Sequence, residues 1–285
     1  MVSPQVKREA AEMLEKKFDA SERQICRVIQ LPLSTKRYCK KKIENAKVVS
    51  RIKYWAEKRP RYGAPRIHAM LRRRDGILVN HKRTERLYYQ ILNLGLRRRP
   101  KKKRYRSEVR TPVAAPARPN QVWSMDFVSD QLSFGRRVRG LGVVDVFTKI
   151  NKELEFDFSL SGFRVVHVLE RICEREGKPE VITVDNGPEF ICMALDKWAY
   201  EKGVKLQFNR PGKPTDNPFI ESFNGKMRDE FLNMHWFRDL QDLREKAMDW
   251  RDEYNQDRPH STLDMKTPME FLKDWELTYA AGLTG

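Results

Sequence analysis

Residues 111 to 120 read TPVAAPARPN, and the spacing of apolar residues is different on the two sides of that stretch. A Pro/Ala-rich segment of this kind is a spacer. Ahead of it, apolar residues recur at intervals of three and four; behind it they alternate or cluster in short blocks. The first period builds helices and the second builds strands, so the chain has to fold as a helical part followed by a sheet-containing part. The sequence divides accordingly into a helical region 1–95, a linker 96–120, an α/β region 121–257 and a tail 258–285 that packs on it.

Charge divides along the same line. Residues 1–120 hold 34 of the 57 Lys/Arg and 10 of the 39 Asp/Glu, a net of +24; the remaining 23 basic and 29 acidic residues give −6. A basic front half beside a mildly acidic back half points to separate jobs, with a polyanion as the partner of the first. No apolar run is long enough to span a membrane and no signal-peptide pattern occurs, so nucleic acid is expected rather than lipid. Cys26, Cys39, Cys173 and Cys192 are scattered without a C-x-x-C pair, and the five histidines show no ligand spacing. The thiols read as small buried hydrophobes in a reducing compartment, and no zinc site is expected.

Residues 4 to 18 carry a helical pattern, and Ser21-Glu22-Arg23-Gln24 has the capping-box form for a second helix with Ile25, Val28 and Ile29 on its apolar face. Ser34 is placed to cap a third helix, rich in Lys and Arg. A similar pair follows. Pro65 opens a helix carrying Ile67, Met70 and Leu71, Asp75-Gly76 turns the chain, and Asn80 caps a helix with Lys82, Arg83 and Arg86, backed by Leu87 and Ile91. Each pair reads as a DNA-binding helix-turn-helix or as a small bundle with a solvated face, and the positive balance favours the first. In RRRPKKKRYR, residues 97 to 106, Arg97, Arg98, Arg99, Lys101, Lys102, Lys103 and Arg104 repel one another and gain by displacing counterions from DNA phosphates.

Beyond the linker, Trp123, Met125 and Phe127 alternate with Val122, Ser124, Asp126 and Val128, so Asp126 projects from the middle of a strand. A turn at Ser133–Gly135 leads to the apolar strand RGLGVVDVF and then to ELEFDF, whose alternation predicts a half-exposed strand. Residues 163 to 176 form an amphipathic helix through Val165, Val168, Leu169 and Ile172. The buried strand VITV ends at Asp185-Asn186-Gly187, Pro188 starts the next helix, and VKLQF is a last short strand. After a Pro/Gly-rich loop, Asn217-Pro218 opens a helix with Ile220, Phe223, Met227 and Phe231 in one stripe. The expected fold class is α/β, a mixed five-stranded sheet flanked by helices and preceded by an all-α region.

Three acids stand out. Asp is a poor strand residue and an unpaired charge in a sheet is costly, which makes Asp126 an anomaly. Asp185 lies at the carboxyl end of a buried strand, the edge where open α/β sheets bind ligands. Glu221 sits off the apolar stripe in a first helical turn, where an acid also serves the helix dipole. Arg228, seven residues on, points within about 20° of Glu221 but about 10 Å further along the axis, too far for a good ion pair. Three acids from separate elements, with few bases nearby, describe a hard-cation site for Mg2+ or Mn2+; two such ions carry an in-line displacement at phosphorus.

WSMDF, VDNGPEF and TDNPFIESFNGKMR resemble the DDE transposase and retroviral integrase superfamily, and the 35 residues between Asp185 and Glu221 match its integrase-type branch. RYGAPRIHAML and VNHKRTERL resemble the helix-turn-helix segment, and YNQDRPHSTLDMKTPMEF the tail, of transposases in the insertion sequence three family; together these motifs span nearly the whole chain. The resemblance implies a ribonuclease H-like core in which Asp126, Asp185 and Glu221 are catalytic and hold two Mg2+ (or Mn2+) ions. It also implies a DNA contact at Arg228, where many relatives have Lys. Asn224 and Lys226 on the same helix are further candidate DNA contacts.

The activity implied is nicking of DNA at the ends of a mobile element by water, then attack of the freed 3′ hydroxyl on target DNA, by a circular, copy-then-insert route. The resemblance also implies a homo-oligomer in the DNA complex, a bacterial cytoplasmic location and nucleoid association on DNA. Relatives usually act fused to a first reading frame carrying a further helix-turn-helix and a leucine zipper. This chain reads like the second frame alone, with no sustained heptads before Arg97, so fusion to or association with such a partner is expected. A non-catalytic DNA-binding regulator and a structure-specific nuclease of the same fold are the alternatives; a tyrosine recombinase has no role for three acids. Asn186 and Gly187 read as a tight turn or a DNA contact, Asp145 as a structural acid, and Tyr254, Arg258, Pro259 and His260 as DNA contacts or as packing of the tail.

Overall fold

The structure, a computed structural model, describes residues 4–18, 20–37, 45–96, 116–209 and 217–283. They group into two compact units, Met1–Arg51 and Ile52–Gly285. The second unit contains residues 52–96 together with the sheet, so the compact units divide the chain earlier than the change of period at 120.

The first unit packs α1 (Pro4–Lys17), α2 (Glu22–Val28) and α3 (Leu33–Lys36) around Ala11, Ile25, Cys26 and Leu31. The capping box forms: Ser21 Oγ accepts from Gln24 N at 3.4 Å and the Gln24 side chain accepts from Ser21 N at 3.0 Å. Val28, expected inside, is 78% exposed; Cys26 takes its place in the core. The third helix starts at Leu33, with Pro32 rather than the expected Ser34 at its cap position.

Helix α4 (Asn45–Lys58) leads into the second unit, where α5 (Ala64–Arg73) buries Ile67, Met70 and Leu71 as expected. Gly76 makes the turn at φ +63°, and Asn80 Oδ1 caps α6 (His81–Arg86) by accepting from Lys82 N at 2.9 Å. The helix continues as a π-helical turn, Leu87–Ile91, whose extra residue rotates the register. Tyr88 is therefore buried beside Leu87 and Ile91 is 58% exposed, contrary to its expected place behind the basic face.

Strands β1 (Val122–Gln131), β2 (Arg137–Asp145) and β3 (Asn151–Asp157) are antiparallel; β4 (Val181–Val184) and β5 (Lys205–Phe208) join on the other side of β1 as parallel strands. The order β3-β2-β1-β4-β5 is the mixed five-stranded sheet expected from the sequence, flanked by helices. Between them run α7 (Gly162–Glu176), which buries Val165, Val168, Leu169 and Ile172, and α8 (Met193–Lys202); α9 (Pro218–Glu230), α10 (Leu240–Gln256) and α11 (Pro268–Leu283) follow. Trp123 and Met125 pack with α7 and α8 on one face. Val128 packs on the other with Ile220, Phe223 and Met227 of α9 and with Trp250 and Tyr254 of α10. Because side chains alternate along a strand, Asp126 belongs to the α9 face.

Two expectations fail here. Pro188 does not open a helix: residues 188–192 form turns, held by fully buried Phe190 stacked on Phe127 at 4.8 Å, and α8 starts at Met193. Nor is β3 half-exposed. Glu155 pairs with Arg164 and Arg171 of α7, and Glu153 with Arg175 of α7 and Arg251 of α10, so charged side chains are covered by ion pairs. Alternation alone does not distinguish that from a solvated face. Among the described residues, no helix is long and apolar enough to cross a membrane.

Candidate active site

One side chain ties the three acid-bearing elements together. Asn217 precedes α9 but does not cap it. Its Oδ1 instead accepts a hydrogen bond from Ser124 Oγ, and its Nδ2 donates to Thr183 O at 3.5 Å. Ser124 is two residues before Asp126 on β1, and Thr183, on β4, is two residues before Asp185, which directly follows that strand. A period of two puts each pair on one face of its strand. The buried amide of Asn217 thus sets the start of α9, and with it Glu221 one turn on, against both strands. The sequence marks Asn217-Pro218 as a helix start rather than a ligand. Its signal was an amide before Pro218 in a position that a capping Ser or Asp would fill equally well. Asn217→Ala leaves Ser124 buried without its acceptor and is expected to lower the unfolding free energy by about 1–3 kcal/mol, read from denaturant melts.

Asp126 is half-buried; Phe127 N donates to its Oδ1 at 2.7 Å and Asn224 Nδ2 donates to its Oδ2 at 2.9 Å. Burial, then the charges of Asp185 and Glu221, push its carboxyl up to about 6 against those two hydrogen bonds. Asp185 and Glu221 therefore both lie within electrostatic reach of Asp126. Asp185 is exposed, and its Oδ1 accepts from Gly187 N at 3.0 Å, the tight turn expected at Asn186-Gly187. Asn186 is occupied with Asn209 O at 2.8 Å. Glu221 is exposed in the first turn of α9. No basic side chain pairs with any of the three among the described residues, and no three Asp, Glu, His or Cys groups there stand close enough to enclose a metal ion.

The donor set nevertheless suits a hard divalent cation. It is all oxygen, and Asn224 Oδ1 is buried beside Asp126 with no hydrogen-bond partner. Acids elsewhere nearby are already satisfied. Glu189 pairs with Arg139, which holds it below the usual carboxylate range. Asp145 is fully buried and accepts from the backbone N–H groups of Asn120, Phe147 and Thr148, a structural acid as expected.

The candidate DNA contacts divide. Arg228 is exposed on the Glu221 side of α9, with Nη2 donating to Ser129 O at 3.0 Å. Asn224 points at Asp126 rather than outward. Lys226 lies on another side of the helix. Lys82 and Arg86 are exposed on α6 and Arg83 is half-buried there; Arg97, Arg98, Arg99, Lys101, Lys102, Lys103 and Arg104 lie outside the described residues. Tyr254, Arg258 and His260 are each about 2% exposed and pack inside the second unit. The described cysteines are free thiols, Cys26 buried and Cys173 and Cys192 half-buried; Cys39 lies outside the described residues.

Sequence comparison places these features in a family. Residues 42–104 match an HTH-like domain, residues 116–214 an integrase core domain, and residues 202–268 a second integrase core domain. The chain is 45% identical over 259 residues to the 31.7 kDa protein of insertion element IS407 from Burkholderia multivorans, covering 90% of this chain and 92% of the relative. The chain belongs to the integrase-core transposases of insertion elements. The 39.2 kDa protein of insertion element IS476 from Xanthomonas euvesicatoria is 39% identical, over 98% of this chain and 80% of that protein. The transposase for insertion sequence element IS904 of Lactococcus lactis is 24% identical, over 84% of this chain and 98% of its own length. Membership of this transposase family ties the chain to DNA transposition by an integrase-type core, with an HTH-like region ahead of that core.

Proposed function

We propose that this transposase cleaves DNA at the ends of its insertion element and transfers the freed strand to target DNA in a metal-dependent reaction. One observation carries the reading: in a chain of net charge +18, Asp185 and Glu221, from two further elements, bear electrostatically on Asp126, and none of the three has a basic partner among the described residues. Asp126, Asp185 and Glu221 would hold two Mg2+ or Mn2+ ions. Bound there, such ions activate the attacking oxygen and stabilise the leaving one.

The chain's own residues prepare that chemistry. Asn217 sets the three elements in register, Asn224 orients Asp126, and Arg228 offers a fork of donors to a phosphate along the Glu221 face. In the first step water attacks phosphorus, the bond to the 3′ oxygen breaks, and a 3′ hydroxyl and a 5′ phosphate result. In the second that hydroxyl attacks a target phosphodiester, losing its proton as a target 3′ oxygen leaves. A bacterial cytoplasmic and nucleoid setting, a circular intermediate, homo-oligomeric assembly and an upstream first-frame partner belong to the same proposal.

The test is a gel assay with labelled element-end DNA and Mg2+, run with this chain, with Asp185→Asn, and with the chain extended by the first-frame segment. Cleaved and joined products that disappear in Asp185→Asn are expected. Products unchanged by Asp185→Asn overturn the site. DNA binding without reaction by either the chain or its extended form favours the regulator, and cutting without joining favours the nuclease.

A further inference from the structure

Helix α9 carries charge on two sides. Lys226 is five positions beyond Glu221, which turns it about 140° away from Glu221 around the axis. Phe219, Lys226 and Glu230, at spacings of seven and four, share that second side. Glu230 is its one carboxylate and is fully engaged: Arg258 donates to it through Nε at 2.7 Å and Nη2 at 2.6 Å, and Arg66 of α5 through Nη1 at 2.9 Å. Lys149, from the β2–β3 turn, lies 4.1 Å over the Phe219 ring and donates to Val146 O at 2.5 Å.

Lys226 stands among these cations with no hydrogen bond or ion pair to any described residue, and burial together with Arg258, Arg66 and Lys149 pushes its ammonium down to about 8. His260, 3.4 Å from Arg258 Nη1, adds no charge: burial and the same cations push its imidazole down to about 2. Four cations thus share one carboxylate. Asp145 beside Lys149 is buried with its oxygens committed to backbone N–H groups. The cluster is not sealed, since Lys226 is half-buried and the Arg66 side chain is 27% exposed.

We propose that Lys226, Arg66 and Lys149 form a second phosphate-binding site, on the side of α9 turned away from the three carboxylates, and that its ligand is the backbone phosphate of DNA. The proposal rests on the reading that DNA is the substrate. An α-helix with its side chains is about 10–12 Å across, so a phosphate on Arg228 cannot also reach Lys226. The second site therefore takes another part of the DNA, and strand transfer supplies one because it brings an element end and a target together. Arg66 lies in the segment matched by the HTH-like domain, and Lys149 and Lys226 in the segments matched by the two integrase core domains.

The measurement is fluorescence anisotropy of a labelled duplex of about 30 base pairs with the intact chain, in chelator and across a salt series, so that no cleavage is involved. Lys226→Gln is expected to weaken binding about 3- to 10-fold and to reduce the slope of log affinity against log salt by about one, while Lys226→Arg keeps both. Thermal melts are expected to show no loss of stability in Lys226→Gln, because the change removes charge from a cluster already rich in cations. An unchanged slope, or a drop in binding accompanied by a drop in Tm, overturns the site, as does failure of the intact chain to bind DNA. If inorganic phosphate raises the Tm of the wild type but not of Lys226→Gln while duplex binding is identical, the ligand is a free anion and the DNA assignment falls. Because the binding arm contains no metal, loss of the cleavage reading leaves this result readable on its own.

Discussion

Asp126→Asn will melt higher than the wild type in chelator and yet cleave element-end DNA at least about 1,000-fold more slowly, the scale of a lost group that acts on the reacting phosphate. The stability gain follows from the direction of the shift. The Asp126 carboxyl is pushed up to about 6 from its ordinary 3.8, by burial and by the charges of Asp185 and Glu221, so its ionised form is penalised in the folded chain. At neutral pH the unfolded carboxylate is free of that penalty, which lowers folding stability. The loss disappears as pH falls through about 6 toward 4, where the folded chain holds the proton more tightly than the unfolded one. A shift of about two units is worth about 3 kcal/mol at most, and less for a carboxyl that keeps some solvent.

Asn removes the charge and keeps the shape. Its amide oxygen still accepts from Phe127 N, and after a turn of the Asn224 amide its N–H2 finds the Asn224 Oδ1 that now lacks a partner. Adding millimolar Mg2+ or Mn2+ is expected to raise the Tm of the wild type and leave Asp126→Asn unmoved, which separates metal binding from the electrostatic relief. A variant no more stable than the wild type in chelator contradicts the account of Asp126, and one that still cleaves contradicts its role.

The elements that frame this site were readable because their signals are local. The stripe Ile220, Phe223, Met227 fixes which side of α9 meets the sheet, and the alternation around Asp126 fixes which way that carboxyl projects. What escaped the sequence depends on pairs far apart in the chain. Asn217 meets Ser124 across 93 positions and Asn224 meets Asp126 across 98, and neither amide differs in sequence from an ordinary helix-start or surface Asn. Lys226 and Arg228 are both basic and two positions apart, which sets them about 200° apart around the helix, and the neighbours packed on α9 show what each side meets. The expected helix at Pro188 failed for a similar reason, since the aromatic stack that holds that loop joins Phe190 to Phe127. The buried Arg258 and His260 left both readings open because a charged or polar residue in a tail is placed inside only when a distant partner accepts it.

Glu230→Gln is expected to cost about 3–5 kcal/mol of folding stability, the scale of a broken buried ion pair. Burial raises the carboxyl of Glu230, but the hydrogen bonds and charges of Arg258 and Arg66 more than offset that and hold it below the usual carboxylate range. The Glu230 side chain is 9% exposed and that of Arg258 3%, so an amide leaves a guanidinium buried without a counter-charge, beside a Lys226 that has none either. The pair therefore contributes stability above the ordinary carboxylate range, and that contribution is lost as pH falls below about 4.5 and then through the lower folded value. Chemical melts at neutral pH measure the cost. Glu230→Met with Arg258→Met together is expected to be closer to the wild type than Glu230→Gln alone, since apolar groups of similar size remove both charges from the interior. A double variant worse than the single would mean that Arg258 contributes mainly by packing its stem against Tyr254, 5.5 Å from the guanidinium carbon to the ring centre. The distinction bears on the tail as a whole. If charge is what holds Arg258 in place, then the carboxyl end of α9, which also receives Arg61 at Asp229, joins the region ahead of the sheet to the residues that follow α10, and the helix that presents Glu221 is anchored from both ends: by Asn217 at the first and by Glu230 at the last.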